Sequence, residues 1–143
     1  DRGSGRAAGA GGSGRLLDLS LRQNMLAQRL ARLTLMAQTG DRSRGRLVDI
    51  EQTRKEFATA LAELSGAREN TPASREALEL ARMQWMFFDR AISELGKGGD
   101  SRPQHVASTS ERILEALDAV SQQYAQDYAT ARFASAPGNT RRN

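Results

Sequence analysis

Along the chain, apolar residues return at alternating steps of three and four, the spacing that places them on one face of a helix. Leu19, Gln23, Leu26, Leu30, Leu33 and Ala37 keep this rhythm, predicting a first helix from about Leu16 to Gln38 that stops at Gly40. Leu47, Ile50, Arg54, Phe57, Leu61 and Leu64 give a second, from about Ser43 to Leu64, closed by Ser65-Gly66. A third opens at Thr71-Pro72, a capping residue followed by proline at the first helical position, and carries Leu78, Ala81, Trp85, Phe88, Ile92 and Leu95. The fourth starts near Ser101-Arg102-Pro103 and carries Val106, Ser110, Ile113, Leu117, Val120, Tyr124 and Tyr128. No stretch alternates with the period of two that a strand needs.

Four amphipathic helices joined by short polar loops imply an all-α protein, an antiparallel up-down-up-down four-helix bundle over residues 16–131. The glycine-rich opening DRGSGRAAGAGGSG has no large apolar side chain to offset its ordering entropy, so 1–15 is expected to be a disordered tail. The polar end, 132–143, is expected to be another. The longest uncharged apolar run, Met83 to Phe88, is too short to cross a bilayer, so no membrane span is expected.

Charge alters this picture less than its total suggests. The net +4 comes from the ends: 1–15 hold three arginines and one aspartate, and 132–143 hold three arginines. That leaves 15 basic and 16 acidic side chains in 16–131, so nucleic-acid binding is not expected. With no cysteine and one histidine, disulfides, thiolate sites and the paired Glu-x-x-His motifs of di-iron bundles are excluded. His105 stands at the polar start of a helix, and no nucleophile elbow or phosphate loop occurs. Neither catalysis nor a cofactor or metal is expected.

Binding chemistry concentrates in the first helix, LSLRQNMLAQRLARLTLMA. At 100° per residue Arg22 and Arg29 lie within about 20° of each other, with Arg32 about 60° from Arg29. Residues 22–55 hold eight basic and three acidic side chains, a face that would attract anions or an acidic partner. Asn24 and Gln28 form a polar step beside the seam. In the third helix, Met83, Trp85, Met86, Phe87 and Phe88 are read as core rather than as a ligand box; Met86 and Phe87, off the seam of Trp85 and Phe88, widen the apolar stripe as a dimer contact or groove would.

The run LSLRQNMLAQRLARL resembles the first helix of the PilJ/NarX-type sensor domain, the family of the type IV pili methyl-accepting chemotaxis transducer N-terminal domain. Arg22, Gln23, Met25, Leu26, Gln28, Arg29 and Leu30 match its motif. Trp85, Phe88 and Ile92 match a tryptophan frame in its third helix, and SERILEALDAVSQQYAQ is similar to its fourth. Leu21 replaces the family's glycine, and Asn24 replaces an arginine that in nitrate-sensing members binds the anion between two copies of helix 1. Asn24 donates hydrogen bonds but carries no charge, and a charge-assisted contact is about twice as strong as a neutral one.

The resemblance implies a non-enzymatic sensor domain in signal transduction, binding a small anion or a protein partner. Arg22, Asn24, Gln28 and Arg29 would be ligand residues. Met25, Arg32, Met86 and Phe87 would be partner contacts, and a homodimer would form through the first helix. It also implies a periplasmic or secreted setting, with the cytoplasm left open by the lack of an apolar leader. The competing reading is an adaptor bundle that takes a protein partner on the basic face of helices 1 and 2.

Overall fold

The computed structural model describes residues 8–40, 42–96 and 103–135. They form a four-helix bundle of α1 (Ala8–Gln38), α2 (Arg44–Ser65), α3 (Pro72–Gly96) and α4 (Pro103–Ser135), with no strand among the described residues. Each helix packs on its neighbours in sequence, and α4 returns to pack along α1, closing the ring. The contacts α2 makes with α3 are much sparser than those of the other pairs.

Pairings fix the directions. Arg15, Arg22 and Arg29 of α1 meet Glu63, Glu56 and Thr53 of α2, in descending order. Arg54 and Phe57 of α2 meet Asp89 and Trp85 of α3. Ser20 of α1 meets Ser121 of α4, while Leu35 and Gln38 lie beside Val106 and Ala107. These antiparallel pairs run up, down, up, down.

The seam positions form the core. Leu30, Phe57, Leu64, Phe88, Ile113, Leu117 and Val120 are fully buried, with Tyr124 nearly so. Each large apolar side chain so enclosed contributes about 1.5–3 kcal/mol relative to exposure. Two seam positions of α2 depart from the pattern. Leu47, in its first turn, is exposed, and Arg54 is half-buried because its Nε donates to Asp89 Oδ1 at 2.8 Å.

Helix boundaries follow their capping signals. Ser43 Oγ accepts from the Arg46 amide at 3.3 Å, and Gly40 leaves α1 with φ of 117°, a conformation that favours glycine. Thr71 Oγ1 accepts from the Ser74 amide while Ser74 Oγ accepts from the Thr71 amide, a reciprocal cap. Arg42 donates to the Leu95 carbonyl at 2.6 Å, satisfying the end of α3. The cap expected at Ser101-Arg102 lies outside the described residues.

The expected tails are corrected where they can be seen. α1 begins at Ala8, so residues 8–15 are helical rather than disordered, and α4 extends through 132–135. Tertiary contacts override weak propensity here. Gly14 lets α1 approach α4 so closely that a Cβ would lie 3.2 Å from the Tyr128 ring. Arg15 pairs with Glu63 at 3.1 Å and reaches Glu69 at 3.9 Å. At the other end, Arg132 sits over the Tyr128 ring, 5.8 Å from its centre. Residues 1–7 and 136–143 of the expected tails lie outside the described residues.

Among the buried polar side chains, Gln23 is the largest. Gln23 is fully buried; its Nε2 donates to the Phe57 carbonyl at 3.0 Å, but Oε1 has no partner. A buried unsatisfied acceptor costs more than a single hydrogen bond returns, so Gln23→Leu is expected to raise the unfolding free energy by about 1 kcal/mol in urea denaturation. A loss of similar size would instead place a bound water on Oε1.

Candidate functional site

The four anticipated ligand residues do not converge. Measured round α1 from Leu21, Arg22 and Arg29 lie about 80–100° toward α2, while Asn24 lies about 60° toward α4. Arg22 forms an ion pair with Glu56, and Arg29 Nε donates to Thr53 Oγ1 at 3.3 Å. Asn24 Nδ2 donates to Ser121 Oγ at 3.2 Å, and its Oδ1 is enclosed without a partner. Gln28 is exposed on the outward side.

The basic face is weaker than its sequence count. The window 22–55 stops one residue short of Glu56, the carboxylate that answers Arg22. Arg15–Glu63 and Arg22–Glu56 form rungs between α1 and α2, both with exposed side chains, so each contributes under about 1 kcal/mol.

A different set does converge. Leu21, Met25, Gln28, Arg32 and Leu35 fall in a band about 80° wide on the side of α1 away from the core. All five are exposed, Met25 by 66% and Leu35 by 58%. Their steps of four, three, four and three repeat the coiled-coil seam, so α1 has one apolar stripe inside the bundle and a second facing out. Met25, Gln28 and Arg32 thus lie together, apart from Arg22 and Arg29.

On α3, Phe88 is buried and Trp85 half-buried, 4.3 Å from the Phe57 ring and 6.1 Å from Phe88. Met83, Met86 and Phe87 are exposed, and Leu80 joins them. The first three are therefore surface residues, correcting their assignment to the core: Met83 stands on the side of α3 opposite Leu78, Ala81 and Phe88, with Met86 and Phe87 to either side of it.

Two surface grooves flank these faces. One of about 390 Å³ lies between α2 and α3, against Ala58, Ala62, Arg82, Trp85 and Met86. Another of about 380 Å³ lies between the end of α1 and the start of α4, against Leu35, Gln38, Val106 and Ala107. None of Arg22, Asn24, Gln28 or Arg29 lines either groove.

A further polar cluster sits where the α2–α3 loop meets α4, and the sequence pattern does not signal it. Asn70 Nδ2 donates to the carbonyls of Leu64 (2.7 Å) and Ala67 (3.1 Å). Its Oδ1 accepts from Tyr124 Oη at 2.6 Å and from Ser74 Oγ at 2.9 Å. Thr71 Oγ1 reaches Asp127 at 3.2 Å. Burial first, and then the Asp127 carboxylate, push the Tyr124 phenol well above the usual tyrosine range. Each contact closes a helix end or a loop, so the cluster is structural.

Among the described residues, no group of three His, Asp or Glu side chains could hold a metal ion, and no helix is long and apolar enough to cross a membrane. Comparison with family models, curated proteins and solved structures finds no match to this chain.

Proposed function

We propose that the chain is a non-enzymatic, sensor-like bundle that binds a small anion between two copies of itself, across the outward stripe of α1. The observation that carries this reading is the exposed heptad band with Arg32 and Gln28 at its centre and Leu21, Met25 and Leu35 around them. In a parallel pairing each residue faces its own copy. Two Arg32 guanidiniums would then oppose each other, a repulsion that a bridging anion removes, while two Gln28 amides add hydrogen bonds. The apolar residues at either end would shield the contact from water. The resemblance of the first helix to the nitrate-sensing family supports the reading, with Arg32 taking the task that Asn24 cannot.

Sedimentation with and without nitrate tests it. Nitrate, or nitrite in a parallel series, is expected to shift the chain from monomer toward dimer and to raise its melting temperature with concentration. Arg32→Ala should abolish both effects, while Arg22→Ala, whose partner is Glu56, should leave both intact. An association state indifferent to every small anion would overturn the proposal and favour a protein partner on this face.

A further inference from the structure

The outward side of α3 carries a second self-complementary pattern, independent of the α1 stripe. Glu76, Leu80, Met83, Phe87 and Arg90 follow steps of four, three, four and three, and fall in a band about 80° wide at 100° per residue. All five are exposed, although Leu80, Met83 and Phe87 are large and apolar. The order is acid, three apolar residues, base. Reversed, it reads base, three apolar residues, acid.

That order favours one arrangement of two identical helices. Antiparallel pairing about Met83 sets Glu76 against Arg90 of the second copy, Leu80 against Phe87, and Met83 against Met83. Because the two-fold axis lies in the contact plane across the helices, the edge of α3 nearer α4 meets the same edge of the other copy. Leu80 and Phe87 both stand toward that edge, so the apolar pairs meet in register. Parallel pairing would oppose Glu76 with Glu76 and Arg90 with Arg90, which is repulsive at both ends. Met86, 68% exposed beside this band, extends the apolar area toward α2.

We propose that the outward face of α3 is a contact between two copies of this chain, antiparallel and two-fold about Met83. The contact is isologous, each copy giving the same patch. It uses a single helix face from each copy, so it is of the reversible kind that responds to concentration. It stands apart from the anion seam on α1 and does not depend on it.

The chain has no cysteine, so single introduced thiols report position cleanly. The test is run under mild oxidation in buffer free of nitrate and nitrite, where the opposed Arg32 guanidiniums keep the α1 faces apart. Met83→Cys is expected to give a disulfide-linked dimer. Leu80→Cys alone and Phe87→Cys alone should give little, but mixed together they should cross-link to each other. Arg90→Glu added to Met83→Cys should slow cross-linking roughly tenfold by placing like charges at both ends, and adding Glu76→Arg should restore it. All five positions are exposed, so the variants are expected to keep the parent's helicity and melting temperature. Equal cross-linking at 80, 83 and 87, or failure of the charge exchange to restore the rate, overturns the proposal.

Discussion

Phe57→Ala is expected to lower the unfolding free energy by about 3–5 kcal/mol, the range for truncating a fully buried aromatic residue. Phe57 has no exposed surface, and its ring lies 4.3 Å from Trp85. This aromatic pair is a principal tie across the sparse α2–α3 boundary, so little else there can close over the space left behind. Urea denaturation gives the magnitude. Trp85, the sole tryptophan, adds a local readout, since its near-ultraviolet circular dichroism should collapse even where α-helical content persists. A loss below about 1 kcal/mol would show that α2 and α3 close over the gap.

The second large effect lies in the loop. Asn70→Ala removes the cap on α2 and strands the Tyr124 hydroxyl, which is buried and otherwise directed at Asn70. The expected cost is about 2–4 kcal/mol, because unmade buried hydrogen bonds cost more than their net worth when formed. The same cluster sets an alkaline limit. Tyr124 holds its proton more tightly in the folded chain than in the unfolded one. Below about pH 10 both states are protonated and this contribution is complete. Above that, the unfolded chain releases the proton first, so stability falls as pH rises. Tyr124→Phe should flatten that fall above about pH 10 in urea midpoints. An equally steep fall in Tyr124→Phe would assign the alkaline loss to other groups.

The bundle was legible because its code is local. Steps of three and four marked the helices, and nearly every seam position, from Leu26 to Tyr124, is buried. What escaped depends on contacts distant in sequence. Gly12 and Gly14 look like a linker until Glu69 and Tyr128 lie against them. Arg54 fits a seam position by spacing and enters it only because Asp89 stands opposite. For the anion residues, spacing placed Arg22 and Arg29 on one edge but did not show that α2 covers that edge with Glu56 and Thr53. Periodicity finds the inward stripe of α1 first, because it is longer and richer in leucine. The outward one emerges only when exposure separates Leu21, Met25 and Leu35 from their buried neighbours.

The thin boundary between α2 and α3 gives the bundle an uneven cohesion. α4 joins both α1 and α3 over long contacts, so these three helices form a continuous block. α2 is bound chiefly along α1, through Arg15, Arg22, Gln23 and Arg29, and touches α3 mainly at Phe57 and Arg54. Opening of such a molecule is graded: the element with least shared surface leaves before the whole unfolds. The amides of α2 would then exchange with solvent ahead of those at the centre of α4, and Trp85 would become wet while most of the core stayed dry.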